Sequence, residues 1–403
     1  MDVGVTQPCP VARWDEPLTD RLLTEDELAL RRRVREVVDE SIAPGAEERW
    51  TEHQFAHEPC QALARAGLGG LVFPEELGGM GASTVAYAIA IEEVASVCAS
   101  TSLVYMTQMH AGYPILIEGT DAQRRAYIPS LCDGSRYGAL AITEPEAGSD
   151  VSSLRTTARR EGDAYVLNGS KTFITTGDRA DTIVCFATLD RSGGRDAVTA
   201  FIVDGDAPGV IHGPPLEKLG MHASSTAELF FEDVRVPSSA RLGAEGGAWG
   251  LSMRTVVKSR ISAASQGLGI ARSAYELAVR WIADHGGLRA PEWQSDLFEL
   301  AGLRARIVQG RLLLHAVARA ADEDARLDLT AEVGMAKLTC TDLGVAASQL
   351  ALHVLGAEAD RTDVGAERLL RDAKVTQIYD GTNEIQRLLI ARDTAKRLSA
   401  LIA

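Results

Sequence analysis

Nothing in this sequence pairs its cysteines. The 403 residues contain six, Cys9, Cys60, Cys98, Cys132, Cys185 and Cys340, with no Cys-x-x-Cys and no matched spacing, which excludes a zinc ribbon and a disulfide scaffold. Such a chain is expected in a reducing cytoplasm. A basic excess is also missing: 41 Lys and Arg stand against 56 Asp and Glu, a net charge of −15, whereas a nucleic-acid surface needs the opposite sign to neutralise phosphates. A few placed donors can still hold a phosphate-bearing small ligand in an acidic protein. No long apolar run opens the chain. Met1–Trp14 carries Pro8 and Pro10 and reads as a flexible leader, with neither a signal peptide nor a membrane anchor expected. Aromatics are scarce at 5%, yet 46% hydrophobic and 24% charged residues exclude global disorder. The length leaves room for two or three domains.

What is present changes period twice. From Thr24, the residues Leu28, Leu30, Val34, Val37, Val38 and Ile42 recur at helical spacing, with Thr24 and Glu27 as a capping box. Further helices are predicted over Pro59–Gly67, Thr84–Cys98 and Asp121–Leu131, with a Gly-rich loop at Pro74–Gly81. After Gly134 the pattern alternates. Asn168-Gly169 between Tyr165–Leu167 and Thr172–Thr175 predicts a tight hairpin, and Thr182–Thr188, Val198–Val203 and Glu228–Phe231 read as strands. Helical periodicity returns over Leu251–Asp284, Trp293–Ala321, Thr330–Leu355, Glu367–Tyr379 and Ile385–Leu401, which implies a bundle. The expected organisation is a helical unit over 1–134, a β unit over 135–243 and a helical bundle over 244–403.

Two segments concentrate chemistry. Ala141–Asp150, at the entry to the β unit, gathers hydroxyls, glycine and backbone donors in one loop, which suits a cofactor's polar edge or is a plain loop. Tyr379-Asp380-Gly381-Thr382-Asn383-Glu384 breaks a helical pattern, so Asp380 either points into a cleft or forms a turn. Gly267-Leu268-Gly269 follows no strand and lacks a third glycine, so helix packing outweighs a dinucleotide fingerprint. His53 and His57 lack a third ligand, and no metal is expected. His110 is assigned to core packing by default, or else to a cofactor pocket.

Taken with Pro74–Gly81, Asn168–Lys171, Lys218-Leu219-Gly220-Met221 and Phe231–Pro237, these segments resemble the acyl-CoA dehydrogenase family from about Leu23 to Leu401. The resemblance implies a mainly α fold with an N-terminal helical domain, a middle β-barrel-like domain and a C-terminal four-helix bundle, assembled as a homo-oligomer, tetramer or dimer. It implies FAD and α,β-dehydrogenation of an acyl thioester: a carboxylate removes the α proton and the β hydrogen leaves as hydride. By position, Ile142, Thr143, Gly148 and Ser149 would surround the flavin and Phe173 and Thr175 would meet its ring. Thr382, Glu384 and His353 would meet the rest of the cofactor. Ser149, Arg260 and Gly381 would hold the substrate, an acyl-CoA or acyl-carrier-protein thioester, and an electron-transfer flavoprotein or similar acceptor would take the electrons.

The chain departs from the family at the catalytic base. Relatives usually read Tyr-Glu-Gly-Thr where this sequence reads Tyr379-Asp380-Gly381-Thr382. Aspartate keeps the carboxylate but is one methylene shorter, and a displacement of about 1 Å is worth roughly 10²-fold in rate. Either the pocket has shifted so that Asp380 serves as base, or the activity is altered, or the base lies elsewhere; the position used by some relatives is Ser259, which cannot do that work. A second departure is the loss of Arg-x-x-Phe-Gly, here His285-Gly286-Gly287-Leu288-Arg289. A third is Gln-x-x-Gly-Gly-x-Gly, here His353 to Ala359. These changes bear on FAD affinity and on the subunit interface. Two other functions fit the same residues: a flavin-dependent oxygenase on this fold, and a non-catalytic acyl-thioester binder.

Overall fold

The structure, a computed structural model, describes residues 17–287, 289–323 and 327–402; the leader and Cys9 lie outside them. Seven helices come first: α1 (Pro17–Asp20), α2 (Glu25–Val37), α3 (Ala46–Thr51), α4 (His57–Arg65), α5 (Thr84–Ala95), α6 (Ala99–Glu118) and α7 (Asp121–Cys132). The capping box at α2 forms in both directions, Glu27 N–H to Thr24 Oγ1 at 3.2 Å and Thr24 N–H to Glu27 Oε2 at 2.9 Å. Helix α6 was not expected. Most of it is buried, Ala99 to Gly112 without a break, so it presents no polar face from which a 3.6 period could be read.

The β unit is one eight-stranded sheet in the order β6-β7-β3-β2-β4-β5-β8, with β1 beside β4. Its strands are β1 (Gly138–Ala141), β2 (Thr157–Glu161), β3 (Ala164–Thr175), β4 (Thr182–Thr188), β5 (Val198–Asp204), β6 (Val210–His212), β7 (Thr226–Pro237) and β8 (Arg241–Leu242). Strand β4 reads as a continuous apolar run because both faces are covered. Ile183, Cys185 and Ala187 pack within the sheet's own core, while Val184 and Phe186 join the core of the helices.

The expected Asn168-Gly169 hairpin does not form. Strand β3 runs straight through it, and the reversal is made at Glu161-Gly162-Asp163-Ala164, with Gly162 at φ +64°. Asn168 braces a bulge on β7 instead: its Nδ2 donates to Asp233 Oδ1 at 2.9 Å, and Asp233 N–H donates to its Oδ1 at 3.0 Å. Gly169 is required by close approach, since a Cβ there would lie 2.6 Å from Thr156 Oγ1.

The remaining helices are α8 (Ala248–Asp284), α9 (Gln294–Glu323), α10 (Thr330–Leu355), α11 (Ala366–Thr376) and α12 (Asn383–Ile402). Helix α10 packs against all four others. By length and hydropathy alone it could cross a bilayer, but half of the apolar window is buried. Gly267 allows α8 to cross α10 closely, because a Cβ there would sit 2.8 Å from the Cys340 carbonyl; the Gly-Leu-Gly segment is a packing device.

An ionic cluster that the sequence does not reveal joins the first and last units. Glu92 and Glu93 on α5 receive Arg272 of α8 at 3.0 and 2.8 Å, Arg35 of α2 reaches Glu93 at 2.9 Å, and Arg311 of α9 reaches Glu92. Burial works to raise both carboxyls, yet the surrounding guanidiniums hold them below the usual carboxylate range.

Candidate active site

Strand β1 delivers the Ile142–Asp150 loop, and a buried ion pair fastens that loop to β3. Lys171, fully buried, donates to Glu144 Oε1 at 2.8 Å and to the Ile142 carbonyl at 3.0 Å. Glu144 also accepts the N–H groups of Arg155 at 2.6 Å and Thr156 at 3.0 Å. Thr172 N–H closes the junction on the Thr143 carbonyl at 3.0 Å. Burial pushes the Glu144 carboxyl up, but Lys171 and these donors bring it below its ordinary value.

One extra residue in β3 between Lys171 and Ile174 makes a bulge, with Phe173 at φ +57° and its ring 68% exposed. A non-glycine residue in the left-handed region costs on the order of 1 kcal/mol or more, and a large ring turned out of a sheet adds to that cost. A planar partner stacked on the ring would offset it. On the Ile142–Asp150 loop, Gly148 would place a Cβ with nothing within 4 Å, and Ser149 is exposed. The residues on this face fit the ring end of a flavin: an apolar surface, open backbone and hydroxyls.

A second group of residues forms where α11 ends. Asp380 at φ +55° and Gly381 at φ +88° are consecutive left-handed residues. Arg260 of α8, only 6% exposed, donates from Nε to the Asp380 carbonyl at 3.2 Å. Lys337 of α10 donates to the Gly381 carbonyl at 3.1 Å and to Asn383 Oδ1 at 2.8 Å, and Gln386 Nε2 reaches the same Gly381 carbonyl at 2.8 Å. Gly381 cannot be replaced easily: besides its φ, a Cβ would lie 2.9 Å from Gln386 Nε2. With its carbonyl so fixed, Asp380 keeps Oδ2 buried without a partner, and among the described residues its N–H has no acceptor.

Around the Asp380 carboxylate stand Tyr87 of α5, His110 of α6 and Tyr379. Its charge is felt at all three, as well as at Arg260 and Lys337. The Tyr87 hydroxyl is buried beside Ser262; His110 Nε2 lies 2.9 Å from Ser262 Oγ, and Tyr379 donates to Gln266 Oε1. Burial lowers His110 and so keeps its imidazole neutral. The β unit is seated against this region by Gly220, whose missing Cβ leaves room for the Arg371–Asp372 backbone. Asp372 takes the Trp50 indole N–H at 2.9 Å and the Met221 N–H.

Comparison with known proteins agrees with this geometry. Residues 24–135, 139–234 and 246–395 match the N-terminal, middle and C-terminal domains of acyl-CoA dehydrogenase. The chain belongs to the acyl-CoA dehydrogenase family. It is 39% identical over 374 residues to an acyl-CoA dehydrogenase of Bacillus subtilis (strain 168), covering 92% of this chain and 98% of that one. The butyryl-CoA dehydrogenase structure from Megasphaera elsdenii superposes with a TM-score of 0.89 at 32% identity, covering 93% of this chain and 99% of that one. A prolyl acyl carrier protein oxidase, AnaB, superposes with a TM-score of 0.88 at 30% identity, covering 92% and 99%. As a member of this family of flavoproteins, the chain is an oxidoreductase acting on CH–CH groups.

In this member of the family, the structure gathers Arg260, Asp380 and Gly381 at one turn, with Thr382 and Glu384 opening α12 beside it. Thr382 Oγ1 accepts the Ile385 N–H at 3.3 Å, and Glu384 is exposed next to Arg387. Ile142, Thr143, Gly148, Ser149, Phe173 and Thr175 gather on the β unit. His353 joins neither group. It lies 74% exposed near the end of α10, 3.7 Å from Asp296, and sixteen residues of helix from Lys337 put it about 24 Å along the axis from the base turn. His110, expected either near the flavin pocket or, by default, in core packing, is buried and close enough to Asp380 to feel its charge. His53 and His57 have separate partners, Glu217 and Tyr137.

Sequence reasoning missed Lys337, Lys171, Glu144 and Tyr87. Lys171 and Lys337 fall at positions of apolar periodicity, and a cation in such a place signals a buried partner.

Proposed function

We propose that this protein catalyses FAD-dependent α,β-dehydrogenation of a short acyl thioester, with Asp380 as the base. The observation that carries this reading is Asp380 Oδ2, a buried and unpartnered oxygen on a half-buried residue held in a left-handed turn by donors to the turn's carbonyls. Asp380 Oδ2 takes the α proton of the acyl group as the α,β double bond forms. Its free N–H donates to the thioester carbonyl, where negative charge develops, the arrangement that favours an oxyanion. Arg260 fixes the carbonyl on the other side of the same residue. Ile142–Ser149, Phe173 and Thr175 would hold FAD, which when bound supplies the acceptor for the β hydrogen and its electron pair.

A short acyl group is favoured by the likeness to butyryl-CoA dehydrogenase, and likeness to a carrier-protein oxidase keeps a carrier-bound thioester in the reading. An electron-transfer flavoprotein or similar acceptor would reoxidise the enzyme. Five free cysteines among the described residues support a reducing cytoplasmic setting. Exposed Leu388 and Leu398 on α12 support a homo-oligomer, tetramer or dimer, which light scattering would read directly.

The test is anaerobic bleaching of the purified holoprotein by a panel of acyl-CoA and acyl-carrier-protein thioesters. Bleaching by short acyl thioesters is expected. Bleaching by none, or oxygen consumption yielding a hydroxylated product, would replace this reading.

A further inference from the structure

We propose that Lys337 is a positioning residue of this reaction, holding the Asp380–Gly381 turn so that a base one methylene shorter than glutamate still reaches the α proton. The inference rests on Asp380 being the base. Lys337 is fully buried in α10. Its Nζ spans the Gly381 carbonyl and the Asn383 side chain, tying the turn to the first residue of α12. Asn383 is held in turn by Thr341 at 3.0 Å and Asp342 at 2.7 Å.

In two consecutive left-handed residues the carbonyls are presented to the same side, so fixing them determines where the Asp380 side chain and N–H lie. Arg260 fixes the first and Lys337 with Gln386 the second. Hydrogen bonds from a cation are roughly twice as strong as neutral ones, so the positioning depends on the Lys337 charge. The charged groups facing it are Asp380 on the turn, Arg260 on α8, Asp342 on α10 and Glu384 on α12. Burial, only partly offset by Asp380, brings Lys337 down to about 8, and the cation is lost as pH rises through that value.

The experiment follows the holoprotein of wild type, Lys337→Met and Asp342→Asn by stopped-flow bleaching with butyryl-CoA across pH 6 to 10 and by hydrogen exchange over residues 377–386. For Lys337→Met the expected result is about a 10²-fold slower bleaching step with KM little changed, flavin retained and faster exchange in the turn. Asp342→Asn removes a neighbouring negative charge, so the alkaline limb of the wild-type profile moves to lower pH. Where Lys337→Met does not accumulate, Asp342→Asn, which is near-isosteric and keeps one acceptor oxygen, still reads the charge dependence. Wild-type bleaching rates in Lys337→Met, or an unmoved limb in Asp342→Asn, overturn the proposal. If the wild type is not bleached by any thioester, the dehydrogenase reading fails instead, and unchanged exchange in Lys337→Met then removes the positioning role as well.

Discussion

At the inner end of the site both carbonyls of the base turn carry donors from buried side chains, Arg260 on one and Lys337 with Gln386 on the other. At the outer end, toward the far end of α10, His353 stands 74% exposed with Asp296 3.7 Å away, and a Cβ on Gly356 would meet nothing within 4 Å. The inner end is completed by this chain's own packing, which tolerates little change. The described residues of the outer end are held by exposed contacts instead, with the Trp293 indole N–H donating to the His285 carbonyl at 3.0 Å and the Trp281 and His285 rings stacked at 3.9 Å. The two ends therefore differ in how far their arrangement rests on buried donors of this chain.

The largest effect is expected at the base. Asp380→Asn keeps the volume and the backbone contacts but cannot take a proton, so bleaching should slow by on the order of 10³- to 10⁴-fold while flavin stays bound. A variant that bleaches at the wild-type rate would detach the inner end from the chemistry.

Next comes the Lys171–Glu144 pair. Removing one partner of a buried pair costs roughly 3–5 kcal/mol, so Lys171→Met should lower Tm substantially and release flavin. The effect has a sign in pH. Glu144 in the folded protein lies below its ordinary 4.5, so its stabilisation is present above that value and is lost as pH falls through the folded value. Without Lys171 the buried carboxylate is left uncompensated at neutral pH and is relieved by protonation. The Tm gap between wild type and variant should accordingly be wide at pH 7 and narrow below about pH 4.5; a gap independent of pH would mean that the ion pair does not set the loop.

The three-unit order, all five bundle helices and the Asp380–Gly381 turn were legible because their signals are local: periodicity, caps and the Asp380-Gly381 break. Helix α6 was not, because a helix buried on nearly all sides has no polar stripe. The Asn168-Gly169 dipeptide misled for the opposite reason. Its turn chemistry is real, but Thr156 packed against Gly169 and the bulge at Asp233 use the same two residues within a strand. Lys171 and Lys337 show the general limit: a residue type can announce that it is buried and paired, but its partners lie 27 and 44 residues away, and only the fold brings them together.

The smallest effect sharpens the comparison from the outer end. An exposed histidine 3.7 Å from a carboxylate makes a surface pair worth about 0–1 kcal/mol, so His353→Ala should leave apoprotein Tm nearly unchanged. Flavin titration then separates two roles. If His353 meets the cofactor of a second copy, affinity falls several-fold in the oligomer and is unaffected in conditions that dissociate it. Equal affinity in both would leave His353 a surface residue, and the cofactor's outer half would rest on Thr382 and Glu384. The expected outcome is the first, because the His353 ring is 74% exposed and stays open to a group from a second copy even with Asp296 3.7 Å away.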